Sequence, residues 1–160
     1  MNYNETQEEK AVRLLCEKGY TVATAESCTG GLLAGRIVNV PGASQVFHEG
    51  YITYSNEAKA RLLGVSEETL MQYGAVSEET AAEMAVGAAR KAGSNAALST
   101  TGVAGPEGGT AEKPVGLVYI GCCVNGEVTV KEYRLTGNRE ENRQSAVVNA
   151  LKLLCEQIRR

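Results

Sequence analysis

The chain has 160 residues, a formal net charge of −3 at pH 7, 43% hydrophobic residues and 22% charged residues. This length and composition are typical of one globular domain that buries a sizeable core without disulfides or metal. The slight acidity argues against a broad nucleic-acid-binding surface, and no apolar run approaches the roughly 20 residues that span a bilayer. We therefore expect a single domain over residues 1–160 that binds neither nucleic acid nor membrane. A local basic site stays open, because four arginines gather near the C-terminus: Arg139, Arg143, Arg159 and Arg160.

The N-terminal residues indicate where in the cell the protein is located, and the cysteines indicate whether it binds a metal or forms disulfides. The segment "MNYNETQEEK" lacks the basic and apolar regions of a signal peptide, which predicts a cytoplasmic protein. The cysteines are odd in number and form no CxxC pair, so they match neither a disulfide framework nor a zinc site: Cys16, Cys28, Cys122, Cys123 and Cys155. His48 is the one histidine, so a Cys–His metal cluster is not expected either. We predict no metal and no other cofactor.

The first elements of the chain show an α/β alternation. Apolar residues at helical spacing predict a helix over 5–18, which Gly19 ends. The β-branched segment "YTVATA", 20–25, predicts a strand. A Gly-Gly pair then leads into a short helix over 32–40, which ends before Pro41.

The middle of the chain continues this alternation. "GYITY", 50–54, predicts a second strand, and "SNEAKARLLG", 55–64, predicts a helix with Gly64 at its end. The sequence "SEET" occurs at 66 and again at 77, and we interpret both as N-cap signals. The second predicts a long helix over 78–92.

The last third of the chain predicts a hairpin and a final helix. "NAALSTTG", 95–102, is a third strand, followed by a glycine-rich loop. Two further strands, 115–124 and 127–135, flank Asn125-Gly126, a strong hairpin signal. A helix over 139–158 follows, with a buried stripe at helical spacing: Val147, Leu151, Leu154 and Ile158. The pattern predicts a three-layer α/β/α sandwich with a mixed sheet of about five strands.

The turn between the first strand and the next helix, "TAESCTGGLLAG", carries an acid and two candidate nucleophiles. Ser27 lies at the carboxyl end of the strand, where open α/β sheets place their ligands. Unpaired amides at a helix start suit a phosphate or an oxyanion. The same hydroxyl can equally be an ordinary N-cap, and no G-x-S-x-G motif decides between the two.

A nucleophilic serine needs a base, and Lys59 is the candidate. If Ser55 or Asn56 caps the predicted helix, Lys59 lies in its first turn, where the helix dipole disfavours a cation. Burial would lower the pKa of the amine further, and a neutral lysine can activate a serine. The alternative is a solvated surface lysine. Cys28 is the competing nucleophile, but it has no obvious histidine partner.

Three further features are candidates for binding. The loop "TTGVAGPEGGT", 100–110, would let backbone amides approach a phosphate, but it lacks the G-K-[ST] of a P-loop. Arg143 precedes Val147 by one helical turn and so either pairs structurally or lines a pocket. Tyr54 can stack on a ring or simply pack.

Five ordered segments resemble the CinA C-terminal domain family, which includes stand-alone nicotinamide mononucleotide deamidases: "AESCTGGLLAGRI", "PGAS", "GYITYSNEAKARLLGV", "GAVSEETAAEMA" and "TGVAGPEGGTAEKPVGLVYI". The resemblance extends from about residue 5 to 158. It implies an α/β/α fold and a hydrolase that converts nicotinamide mononucleotide to nicotinate mononucleotide and ammonia in NAD recycling. It also implies no required metal and a homo-oligomer, with a dimer as the expected form.

The resemblance also implies residue roles. Ser27 would be the nucleophile, Lys59 its base and Tyr54 an assisting hydroxyl. The nucleophile turn would be shaped by Glu26, Thr29, Gly30 and Gly31. The substrate pocket would be lined by Ser44, Thr101, Gly102 and Gly105, with Arg143 on the substrate or its phosphate. We expect amides near Thr29 to Gly31 to hold the oxyanion. The alternatives are a cysteine amidase that uses Cys28 and a non-catalytic nucleotide-binding or partner-binding domain.

Overall fold

The computed structural model describes residues 4–160, which form one five-stranded sheet with helices on both faces. The strands are β1 Val22–Glu26, β2 Phe47–Ile52, β3 Ala96–Gly102, β4 Leu117–Val124 and β5 Glu127–Arg134. The helices are α1 Gln7–Lys18, α2 Leu32–Val38, α3 Asn56–Leu63, α4 Glu67–Tyr73, α5 Glu78–Ala92 and α6 Arg139–Ile158. A short 3-10 helix, Ala43–Gln45, precedes β2.

The sheet is mixed, with strand order β2-β1-β3-β4-β5. β1 pairs in parallel with β2 and β3, whereas β4 is antiparallel to both β3 and β5. The carboxyl ends of β1, β2 and β3 therefore meet at one edge of the sheet, which is the usual position of a ligand site in such folds.

Successive residues of the central strands point to opposite faces and build two cores. On one face, Val22 and Leu98 pack with residues of α1, α2 and α6. On the other face, Ala23 and Ala97 pack with residues of α3 and α5, and α4 packs against α5. The predicted three-layer α/β/α sandwich with a mixed five-stranded sheet is confirmed.

Local signals place most helix ends as predicted. The serines of the two "SEET" segments, Ser66 and Ser77, accept hydrogen bonds from the amides of Thr69 and Thr80. In the hairpin, Asn125 and Gly126 have φ values of 50° and 86°, as the two central residues of a type I′ turn require. These side chains and dihedrals are local, so the sequence alone could predict them.

The second strand differs from its prediction. It spans Phe47–Ile52, rather than 50–54, because it pairs along all of β1 from Val22 to Glu26. β2 is an edge strand with little burial on either face, so His48 and Glu49 hide the apolar alternation. Tyr54 consequently lies in the connection to α3 and not at the end of the strand.

Within residues 4–160, no helix is long and apolar enough to cross a bilayer. In the same residues, no group of three or more histidine, cysteine, aspartate or glutamate side chains is arranged to hold a metal ion.

Candidate active site

Ser27 follows β1 directly and lines a cavity of about 290 Å³ at the carboxyl edge of the sheet. Its amide donates to the carbonyl of Thr100 in β3 at 2.9 Å, which fixes the start of the turn against the neighbouring strand. Only 9% of the residue is exposed. The hydroxyl is thus held at the base of a cavity whose size is near the lower end for small-molecule sites.

Lys59 reaches this serine from α3. Ser55 caps that helix by accepting from the Ala58 amide, so Lys59 lies in the first turn, as predicted. Its Nζ lies 3.0 Å from Ser27 Oγ and donates to the carbonyl of Thr53 at 2.9 Å. Lys59 is 1% exposed, and the alternative of a solvated surface lysine is therefore wrong.

The environment of Lys59 favours the neutral amine. Burial lowers the pKa of Lys59 below its usual value, and only a weaker influence of Cys28 opposes the shift. Among residues 4–160, no carboxylate forms an ion pair with this amine. A neutral amine in contact with a hydroxyl can accept its proton, which a solvated lysine near neutral pH cannot do.

Cys28 lines the same cavity, but its surroundings make its thiol a poor nucleophile. Burial raises the pKa of its thiol to about 11. Very little thiolate forms near neutral pH, and the thiolate is the nucleophilic species. The local electrostatics therefore favour Ser27 over Cys28 as the nucleophile.

Glu26 organises the turn that presents Ser27. Its carboxylate is fully buried and accepts from the Thr29 hydroxyl at 2.6 Å, and from the amides of Gly31 (3.2 Å), Leu33 (2.8 Å) and Ala34 (3.1 Å). The Glu26 carboxylate thereby caps the N-terminus of α2, because the N-cap residue itself, Gly31, has no side chain that could do so.

The Gly-Gly pair is required by the backbone of this turn. Gly30 and Gly31 have φ values of 55° and 103°, in the left-handed region that favours glycine. Their amides are already used, since Gly30 donates to the Ser27 carbonyl and Gly31 to Glu26. The expected oxyanion site at Thr29 to Gly31 is therefore wrong in its glycine part. Within residues 4–160 neither the Cys28 amide nor the Thr29 amide donates to a backbone carbonyl, and the Cys28 amide contacts only its own thiol, so these two amides remain the available donors.

We expect Glu26→Ala to lower the free energy of unfolding by about 3 kcal/mol, because several buried donors lose their acceptor together. Urea unfolding followed by circular dichroism measures this change. The free energy of unfolding of the conservative Glu26→Gln variant should lie between those of wild type and Glu26→Ala, since the glutamine amide keeps one acceptor oxygen. A loss below about 0.5 kcal/mol for the alanine variant would contradict the capping role.

Arg143 holds the outer side of the same turn. Its Nε donates to the Cys28 carbonyl and its Nη2 to the Thr29 carbonyl, both at 3.0 Å. It is not among the residues that line the cavity. Of the two interpretations of Arg143, structural pairing fits the observed contacts, and the expected contact with substrate does not.

The opposite wall of the cavity is formed mainly by the glycine-rich loop. Thr101, Gly102 and Gly105, which the resemblance places in a substrate pocket, line this cavity, and the Thr101 hydroxyl donates to the Ala75 carbonyl at 2.7 Å. Tyr54 also lines the cavity, with its hydroxyl 3.2 Å from Arg139. Ser44 does not line it. This exposed residue lies in the 3-10 helix before β2, at the other end of the strand, so its expected place in this pocket is wrong.

Two residues of α6 that the sequence interpretation did not assign to the substrate pocket, Arg139 and Asn142, join this helix to the loop. Arg139 lines the cavity and donates to the Gly105 carbonyl at 2.8 Å. Asn142, which is buried, donates to the Ala104 carbonyl at 3.0 Å. The predicted start of α6 at 139 and the local excess of arginine were the signals that pointed to Arg139.

The family model of the CinA C-terminal domain matches residues 4–158. The chain belongs to the CinA C-terminal domain family. A Kosmotoga olearia CinA-like protein is 59% identical over 147 residues, which cover 92% of this chain and 36% of that protein. A competence-damage inducible protein from Clostridium novyi is 58% identical over 149 residues, which cover 93% of this chain and 36% of that protein. This CinA domain thus spans about a third of the length of these curated relatives.

Solved CinA structures match the whole fold. The competence/damage inducible protein CihA from Agrobacterium tumefaciens has a TM-score of 0.90 and 45% identity, with 96% of both chains covered. A CinA superfamily protein from Klebsiella pneumoniae has a TM-score of 0.92 and 36% identity, with 95% of both chains covered. These names refer to competence and damage and state no reaction.

Proposed function

We propose that this CinA domain is an amidase that hydrolyses the carboxamide of nicotinamide mononucleotide to nicotinate mononucleotide and ammonia. The observation that carries the proposal is the buried Lys59 amine, 3.0 Å from Ser27 Oγ at the base of a cavity. A neutral amine in contact with a serine hydroxyl is the arrangement that activates serine for attack on a carbonyl. The family resemblance supports the choice of substrate.

The acylation step uses Lys59 as a general base. The Thr53 carbonyl accepts one N–H of the amine, and in its neutral form the amine keeps a lone pair that can accept the proton of Ser27 Oγ, 3.0 Å away. As the hydroxyl proton moves to Nζ, Oγ forms a bond to the carboxamide carbon and the C=O electrons move to oxygen. The pyridinium charge of the substrate makes this carbon more electrophilic. The amides of Cys28 and Thr29 are the nearby donors for the oxyanion, each worth about 3 kcal/mol.

The leaving group departs with the proton that Lys59 has gained. The ammonium transfers it to the amide nitrogen, the C–N bond breaks and ammonia leaves an acyl-Ser27 ester. Water then attacks the ester, with the neutral Lys59 amine as general base again. The Ser27–carbonyl bond breaks, Oγ regains the proton that Lys59 took from water, and the product leaves as a carboxylic acid that passes its remaining proton to the released ammonia in solution. No net proton or electron is required from another group.

Isotope incorporation tests the reaction directly. With nicotinamide mononucleotide in H₂¹⁸O, we expect one ¹⁸O in each nicotinate mononucleotide carboxylate, with one ammonia released per product. Mass spectrometry and an ammonia assay measure the two quantities. Consumption of substrate with release of free nicotinamide would instead indicate cleavage of the glycosidic bond, and would contradict the proposal.

We expect free nicotinamide to be a poor substrate. It lacks ribose and phosphate, so the binding energy that these groups spend on positioning the amide is lost, and kcat falls as well as affinity. Steady-state ammonia release at matched concentrations compares the two compounds. Similar kcat/KM values would show that the glycine-rich wall of the cavity contributes nothing to positioning.

The assembly and compartment implied by the resemblance stay predictions. We propose that residues 1–160 act as one amidase domain in the cytoplasm and assemble as a homodimer. Analytical ultracentrifugation of the purified chain tests the dimer, which would sediment at twice the monomer mass of 16.9 kDa.

A further inference from the structure

Arg139, the first residue of α6, lies at the cavity that contains the nucleophile. Its exposed side chain lines the cavity that contains Ser27 and Lys59. Nη1 donates to the Gly105 carbonyl at 2.8 Å, and Nη2 donates to the Tyr54 hydroxyl at 3.2 Å. Across residues 4–160, no carboxylate forms an ion pair with it. The guanidinium is therefore oriented by two neutral acceptors while its charge stays unneutralised.

The other charged residues of the cavity are not suited to an anionic group. Lys59 is buried, and its amine is already in contact with Ser27 Oγ and the Thr53 carbonyl, so it does not extend into the cavity toward an anionic group. Glu107, on the glycine-rich loop, is acidic and would repel a phosphate. Arg139 is thus the cation on the cavity wall that an anionic substrate group would meet.

The remaining donors of Arg139 suit a phosphate. A guanidinium carries five N–H groups in a planar fork, and the two contacts above use two of them. Because Gly105 and Tyr54 already hold the fork, binding a phosphate would immobilise little additional side chain. At the start of α6, the amides of Asn138 and Glu141 are already used by the capping box that these two residues form.

The candidate from the sequence, Arg143, is used elsewhere. Its Nε and Nη2 hold the carbonyls of Cys28 and Thr29, and it lies outside the cavity lining. Arg139 and Arg143 are one helical turn apart on the same face of α6. Arg143 therefore contacts the nucleophile turn, whereas Arg139 lines the cavity beyond that turn.

We propose that Arg139 is the residue that recognises the 5′-phosphate and so selects nucleotide over nucleoside substrates. This inference rests on the proposed amidase function for its kinetic test. Removing a charge-assisted Arg–phosphate contact by substitution typically weakens binding of the phosphate-containing ligand roughly 10- to 100-fold. Arg139 acts on binding, and the amide chemistry stays with Ser27 and Lys59.

Paired substrates test the proposal in the active protein. With Arg139→Gln, we expect kcat/KM for nicotinamide mononucleotide to fall about 10- to 100-fold, mainly through KM, while kcat/KM for nicotinamide riboside is unchanged. Arg139→Lys should recover part of the loss, because it keeps the charge without the fork. Arg159→Gln is the matched control, since it removes one exposed arginine from the other end of α6 and should change neither substrate. An equal change for nucleotide and riboside in Arg139→Gln, or no change for either, would overturn the proposal.

A binding measurement separates this inference from the amidase proposal. Calorimetry with ribose 5-phosphate needs no turnover, and we expect Arg139→Gln to weaken binding by about 10-fold or more while Arg159→Gln binds like wild type. If wild type binds this probe through Arg139 but does not hydrolyse nicotinamide mononucleotide, the amidase proposal fails and the phosphate site stands. Equal binding by wild type and Arg139→Gln, or no binding by wild type, would overturn the phosphate site.

Discussion

We expect Ser27→Ala to lower kcat for nicotinamide mononucleotide by about 10³-fold or more, because within residues 4–160 no other hydroxyl contacts the Lys59 amine. Ammonia release under saturating substrate measures the loss. The fold should be unchanged by circular dichroism, since Lys59 keeps its hydrogen bond to the Thr53 carbonyl.

Cys28→Ala is the matched control for this prediction. It removes the neighbouring side chain of the same turn, and burial holds the pKa of that thiol at about 11. We expect the variant to retain most of the turnover, and thiol alkylation of the wild type should not abolish it. Full activity in Ser27→Ala together with loss in Cys28→Ala would replace the serine mechanism with the cysteine alternative.

Lys59→Arg should be nearly inactive although it keeps a positive charge. A guanidinium does not lose its proton in the accessible pH range, so it cannot accept the proton of Ser27. Lys59→Met removes the amine but fills a similar apolar volume, and it should be equally inactive with a stable fold. Comparing the two variants separates loss of the base from damage to packing. Near-normal turnover in the arginine variant would make Lys59 only a source of charge.

The pH dependence follows from the direction of the shift at Lys59. Because burial lowers the pKa of this amine below its usual 10.5, the active neutral form accumulates as pH rises through the lowered value. kcat/KM should therefore increase with pH along a limb whose midpoint lies below 10.5. Bound pyridinium adds a second positive charge and should lower the midpoint of the kcat profile further. A midpoint at or above 10.5 would contradict a neutral catalytic amine.

The sequence could predict most of the fold because its signals are local. Ser55, Ser66 and Ser77 cap helices within three residues of the amides that they bind, and a glycine ends several of the helices. The bounds of β2 depended instead on pairing with β1 at the edge of the sheet. An exposed edge strand carries no clear apolar alternation, so its start at Phe47 could not be predicted from its own residues.

The sequence indicated Ser27 and Lys59 as a candidate nucleophile and base, but it could not show that the two side chains are in contact. Ser27 and Lys59 are 32 residues apart, and their hydrogen bond exists because β1 and β2 pair in parallel and end at the same edge. Cap chemistry indicated that Lys59 would lie near a helix start. Its burial against Ser27 required the whole sheet.

The arginines and the oxyanion donors could not be assigned from spacing. The helical spacing correctly placed Arg143 toward the core, but only the packed structure shows that the nucleophile turn occupies that position. Likewise, Glu26 accepts from Leu33 and Ala34, seven and eight residues further along the chain, which uses amides that spacing alone left open. Such long-range acceptors depend on the path of the turn.

Ammonia release from nicotinamide mononucleotide by wild type and Ser27→Ala, with calorimetry on both, tests the central claim most directly. We predict that both proteins bind the nucleotide and that only wild type releases ammonia, with one equivalent per substrate consumed. Binding by wild type without ammonia above the Ser27→Ala level would contradict the account, and would identify the cavity as a non-catalytic nucleotide site.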